Sequence, residues 1–593
     1  MSAAGAGRAR TAKAAAGGAA TARVLATLEA LRWSFGTAAA RQRRALLRRV
    51  LRARLGSVTS IERLHECLLA ARAYPDDPAT LTLAERALAA FARRADVRAL
   101  HARLADSGIA GADIRFAFFA PTARRLAARW PERLELDWTA FDEPGALEDW
   151  LPQLAHDAEV PGLDEYDYGL RGWLARLKPA GEADGAFVAR QLSARLADDA
   201  VFERVHDGLG LPYRLRGDGG TPSEPKPARG AAAQSEGPTP SRTLARWPVH
   251  AMQFQHGPFA GRPDLAAAAA PRSIRTLSPR DGERALALAT DAMVTRSRDL
   301  DVFAWGDIRD VRHVDCGDGL SFLMIGALPE RRLLLESVYG FLTLKNGVPI
   351  GYVLTSALYR SAEIAFNVFD TFRGAEAGPV YGKVVGMIRA LFGTETFTIY
   401  PYQLGDHNDE AIESGAWWFY QKLGFRPRAR AARVLMQREL ARMQRTPGYR
   451  SGAAVLRILA RTNLYWSPGP DRDDVIGELP LASAGLAVTD MIMQRFGGDR
   501  ALAAASCERE ARKLLGVRSS TSWSAGERLA WRRWAPLVTL LPGVSRWSAA
   551  QRTATVDIIR AKGGGREDAF ARAFDAHPRL GAALASLVRA TRT

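Results

Sequence analysis

Six consecutive residues, Arg373-Gly374-Ala375-Glu376-Ala377-Gly378, stand between a strand-like run and a helix-like run. Small residues at such a turn let a ligand approach the backbone closely. The first N–H groups of the following helix point into the turn, which suits a pyrophosphate. Arg373 adds a side chain able to make charge-assisted bonds to an anion. A second group of residues lies further on, in NDEAIESGAWWFYQKLGFRP (408–427). Asn408 is a helix-capping residue by type and place. Tyr420 offers a hydroxyl proton to a charge developing on a leaving group. It also sits beside Trp417, Trp418 and Phe419, so packing is an equally open reading. Glu336, which opens a strand, and Asp370, which ends one, are carboxylates able to draw a proton through water. His407 reads as an exposed loop histidine.

The two groups together resemble the GCN5-related N-acetyltransferase superfamily. The later element carries the resemblance best, through Ala416, Tyr420, Lys422, Leu423, Gly424 and Phe425. Arg373 and Gly378 match the two ends of the family's Arg/Gln-x-x-Gly-x-Gly/Ala turn, and Glu376 stands where its first glycine is usual. The resemblance covers 330–440 and extends back toward 275. It implies an acyl-CoA donor, usually acetyl-CoA, and an amine acceptor, with Tyr420 as the general acid. It implies a cofactor-binding set of Phe369, Arg373, Gly374, Ala377, Gly378 and Asn408. A carboxylate at position 376 repels pyrophosphate unless its side chain turns outward. Two further readings stay open: a non-catalytic acyl-CoA sensor or scaffold, and a nucleic-acid-binding protein working through a basic N-terminus.

The elements that must position these residues follow from periodicity. Residues 332–360 hold two apolar, β-branched runs on either side of Lys345-Asn346-Gly347, a hairpin signal. A strand over 362–370, a helix over 379–392, a strand over 394–404 and a helix over 408–422 come next. A last strand is expected after Phe425. The implied fold class is α/β, a mixed-sheet central domain flanked by mainly helical regions.

The chain has 593 residues, enough for two to four domains. Residues 1–21 read as a disordered basic tail and 22–215 as a helical domain. Residues 216–245 are rich in Gly, Pro and Ser and read as a linker. The central domain is placed at 275–440, and 441–593 reads as mainly helical. In the helical domain, Thr59 with Glu62 reads as a capping box, and Asp77-Pro78 as a helix start. The formal net charge is +18, mostly from arginine, and residues 1–60 hold twelve basic residues against Glu29 alone. That balance favours anionic partners, with a solvated arginine face as the plainer reading. Three widely spaced cysteines argue against a disulfide or zinc scaffold, and for a reducing, cytoplasmic setting. No apolar run is long enough to span a membrane. Oligomeric state is not legible.

Overall fold

A computed structural model describes residues 18–196, 198–218 and 238–591. The expected tail therefore lies outside the described residues up to 17. From residue 18 the chain is already helical, through residue 30. Most of the expected linker, 219–237, also lies outside them. Its described ends are packed, contrary to the linker reading. Arg216 donates its backbone N–H to the Arg133 carbonyl at 2.9 Å. Thr243 is fully buried, and its hydroxyl meets His65 Nε2 at 2.8 Å.

The chain divides into two compact units. The first comprises 1–258, 284–304 and 345–349. Helices Thr37–Arg52, Val58–Ala73 and Pro78–Ala89 open it. Asp77 caps the third by accepting from Thr80 N–H at 2.8 Å. Ser57 caps the second, accepting from Ser60 N–H at 3.2 Å, so Thr59 lies inside that helix and forms no cap. Three short strands, β1 (Ile114–Phe116), β2 (Leu134–Leu136) and β3 (Tyr213–Leu215), form an antiparallel sheet in the order β1-β3-β2. Helix periodicity alone gave no sign of them. Within this unit the buried Asn346 amide donates to the carbonyls of Ala73 and Gln253, both at 2.9 Å.

The second unit comprises 259–283, 305–344 and 350–593. It is mixed α/β. Its sheet holds β4 (Ser273–Thr276), β5 (Gly306–Gly317), β6 (Leu320–Ala327), β7 (Ser337–Lys345), β8 (Val348–Leu358), β9 (Ser361–Val368), β10 (Thr396–Ile399), β11 (Arg426–Pro427) and β12 (Leu464–Trp466). The order across it is β11-β12-β10-β9-β8-β7-β6-β5-β4. Neighbours are antiparallel at β4–β5, β5–β6 and β8–β9, and parallel at β9–β10. β12 pairs antiparallel with both β10 and β11.

Two expected elements differ. The strand after Phe425 is only two residues long, and Arg430–Arg445 is a helix. Ala432, Met436 and Glu439 are its buried positions, at helical spacing. The sheet is instead completed by β12, from the region read as mainly helical. The helix expected over 408–422 is two helices, Asp409–Ser414 and Ala416–Leu423, broken at Gly415 with φ 69°.

A glycine-faced helix, Ala377–Phe392, follows β9. Residues 263–269 lie along it. A Cβ on Gly382 would stand 2.8 Å from Pro263 Cβ, and one on Gly386 2.1 Å from the Ala269 carbonyl oxygen. Arg389 donates to the carbonyls of Leu265 and Ala266 at 3.3 and 3.2 Å. The C-terminal helices form an apolar core with Leu358 of β8 and with Leu335 and Tyr359 just outside the strands. Among the described residues, no helix is long and apolar enough to cross a membrane.

Candidate functional site

β9 and β10 pair only at Ser361–Thr396, Ala362–Phe397 and Glu363–Thr398. β10 ends at Ile399 and turns into the short helix Pro401–Leu404, while β9 runs on, still paired with β8, to Val368. The two parallel strands therefore part after residue 363. A cleft of about 460 Å³ lies beside the unpaired stretch of β9. It is lined by Phe366, Asn367 and Val368 from β9, by Arg373, Gly374 and Ala377 from the following turn, and by Tyr420 and Phe419 opposite. Phe366 and Asn367 point to opposite sheet faces by strand alternation, so the cleft runs through the gap in the sheet.

The backbone of β9 has a fixed phase here. Phe369 N–H bonds to the Ile350 carbonyl at 2.9 Å, on the β8 side. Residues 366 and 368 therefore direct their N–H and C=O groups the other way, toward the gap. The Phe366 N–H is directed to the Tyr420 hydroxyl. Tyr420 is 2% exposed, ringed by Tyr381, Phe419 and Phe425. Burial pushes its pKa well above the ordinary tyrosine range, which keeps its proton in place at neutral pH. Asn367 Oδ1 is buried and has no hydrogen-bond partner among the described residues.

The residues expected in the cofactor set fall into two groups. Arg373, Gly374, Ala377 and Asn408 line the cleft. Gly374 takes a left-handed φ of 86°, which its lack of a side chain permits. Asn408 spends its side chain locally: Oδ1 accepts from Ala411 N–H at 3.2 Å and Nδ2 donates to the Tyr402 carbonyl at 3.1 Å. It acts as a helix cap and not as a free ligand donor. Phe369 and Gly378 are absent from the lining. Phe369 is buried, with its ring 6.2 Å from that of Tyr352. At Gly378 the space a Cβ would take faces Pro263 Cδ at 3.5 Å. That is an ordinary contact distance, so the packing that demands glycine on this helix face lies at Gly382 and Gly386.

Neither expected base lies in the cleft. Asp370 is exposed and pairs with Arg373 at 2.9 Å. Glu336 stands just before β7, and its carbonyl accepts from Lys562 Nζ at 2.8 Å. Its carboxylate is close enough to raise the pKa of both Glu363 and Tyr400. Glu363 is the residue that sequence reading missed. It sits at the vertex where β9 and β10 part, on the same face as Asn367. Burial, offset in part by the Ser356 hydroxyl and reinforced by Glu336, pushes its carboxyl up to about 7. An acidic residue flanked by Ala362, Ile364 and Ala365 within a strand is the signal that was available. His407 is exposed, with a left-handed φ of 53°.

The N-terminal arginines are partly spent internally. Buried Arg43 pairs with Asp76, Arg44 with Asp77 and Arg63 with Glu29. Arg41, Arg48, Arg49, Arg52 and Arg54 are exposed. Tyr465 and Trp466 belong to β12, where Trp466 packs 5.8 Å from Phe397. No family model matches the chain, and neither does any curated protein or solved structure.

Proposed function

We propose that the second unit is an N-acyltransferase of the GCN5-related type, moving an acyl group from a thioester such as acetyl-CoA to an amine. The observation that carries this reading is the parting of β9 from β10 beside a turn and helix, with Tyr420 facing the gap. A donor thioester arm laid along β9 would meet outward-directed backbone groups of residues 366 and 368 on one side. Tyr420 would stand near the sulfur.

In the reaction, the neutral amine nitrogen attacks the thioester carbonyl carbon. A C–N bond forms and the C–S bond breaks. The departing sulfur takes the Tyr420 proton, which the high pKa keeps available until thiolate charge develops. The proton lost by the amine leaves through water toward Glu363, and solvent reprotonates Tyr420. Glu363 lies three residues from Phe366, roughly 10 Å along the strand, so relay and not direct contact is required. Much of the acceleration comes from holding amine and thioester together.

Release of free thiol from acetyl-CoA, measured across a panel of amines, tests this. Tyr420→Phe is expected to lower kcat about 10- to 100-fold with donor affinity kept within about twofold. An unchanged kcat removes Tyr420 from the chemistry. A second reading, donor binding without transfer, is favoured by the absence of Glu336 and Asp370 from the cleft lining. Binding of acetyl-CoA without thiol release for any amine would select it.

A further inference from the structure

We propose that the cleft selects its acyl donor by the neutral pantetheine arm, and that a carboxylate of the chain itself holds the seat a pyrophosphate would take. This rests on the reading of the cleft as an acyl-thioester site.

Arg373 is the one basic side chain lining the cleft among the described residues. Its guanidinium is already held from across the opening by Glu410, and from its own turn by Asp370 at 2.9 Å. Glu410 and Glu413 both line the cleft. Glu376 occupies the N-cap position of helix Ala377–Phe392 and makes no side-chain cap bond there. Around a single arginine the lining thus carries two carboxylates, Glu410 and Glu413, with Asp370 paired to the same guanidinium from just outside it. A pyrophosphate entering the opening would have to displace Glu410 from Arg373 and then lie among like charges. The gain from the arginine and the helix end is offset by that repulsion. Glu410 supplies to Arg373 the same bond that a phosphate oxygen would supply.

The inner cleft has the opposite character. Phe366 and Phe419 stack there with ring centres 6.3 Å apart. The Phe366 carbonyl and the Val368 backbone are directed into the gap, and Asn367 Oδ1 lacks a donor. Strand-like backbone groups beside aromatic rings suit an uncharged chain of amides and methylenes. The shared chemistry is an acyl-S-pantetheine unit, found in free coenzyme A and on a carrier protein's prosthetic arm.

Titration calorimetry on the full chain tests the proposal, with acetyl-CoA and S-acetylpantetheine against wild type and Glu410→Gln. Acetyl-CoA is expected to bind wild type less than about fivefold more tightly than S-acetylpantetheine. Glu410→Gln, at an exposed position, is expected to tighten acetyl-CoA by at least about threefold and to leave S-acetylpantetheine within about twofold. A wild-type preference for acetyl-CoA of about fivefold or more, or a smaller gain in Glu410→Gln, overturns the inference while leaving an acyl-CoA cleft. If neither donor binds either protein, the acyl-thioester reading falls and the inference with it. Acetylated acyl carrier protein as a third titrant separates the sources. Binding tighter than S-acetylpantetheine assigns the arm to a carrier, and weaker or equal binding assigns it to a free thioester.

Discussion

Glu363 places a carboxyl group, raised to about 7, at the vertex of a sheet gap. Its ordinary value is 4.5, so between those limits the folded chain holds a proton that the unfolded chain releases. The stability tied to that proton is complete below about pH 4.5 and is lost as pH climbs through about 7. Glu363→Gln mimics the protonated form at every pH. Its melting temperature is therefore expected to match wild type near pH 5 and to exceed it progressively by pH 8. The gap should reach on the order of 2–3 kcal/mol, read by thermal scans across that range. The same carboxyl predicts activity that rises with pH to a plateau above about 7. Glu363→Gln should lose that rise and about 10- to 100-fold of the rate.

At the scale of elements, the helix Ala377–Phe392 shows how glycine spacing admits a neighbouring chain segment. Glycines at 382 and 386 leave room for the segment 263–269. Gly386→Ala would drive a methyl group to 2.1 Å from the Ala269 carbonyl oxygen. Since backbone cannot yield as a flexible side chain can, a loss of about 2–4 kcal/mol is expected. Protease cutting should rise within 259–270, and an unchanged melting curve would contradict the packing described. The sequence made parts of this architecture legible for clear reasons. Asn346-Gly347 take φ of 50° and 78°, the backbone that this pair favours, and the hairpin could be placed from them. Asp77 announced a helix start because its side chain caps locally. The packing at Gly382 and Gly386 was not legible, because a helix glycine looks the same in sequence whether or not another segment crosses it. β12 was hidden too: three residues, Leu464–Trp466, are too few to show alternation.

At the scale of the whole chain, the C-terminal helices are part of the second unit's core and not an appendage at 440. Their apolar side chains pack with Leu335, Leu358 and Tyr359. Buried charges tie the same elements together. Arg312 on β5, 1% exposed, donates to Asp568 at 2.9 and 3.1 Å, and Asp568 N–H donates to the Tyr339 hydroxyl at 2.9 Å. Removing one partner of a buried pair strands the other charge away from water. Asp568→Ala is expected to cost about 3–5 kcal/mol, whereas exposed Asp473→Ala, which removes only a surface partner of Arg589, should cost less than about 1 kcal/mol. Denaturant midpoints of the two variants check the contrast.

The placement of β12 between β10 and β11 also governs when this protein can finish folding. A nascent chain reaches β11 at residue 427 and still lacks the strand that must sit inside it until residue 466 has been made. Until then the far edge of β10, with Phe397 and Ile399, has no strand to cover it, and such an edge invites pairing with other chains. Pairing of β10 with β12 is therefore a long-range event that waits for residue 466. Chaperone demand during synthesis should accordingly concentrate on the interval after β10 emerges.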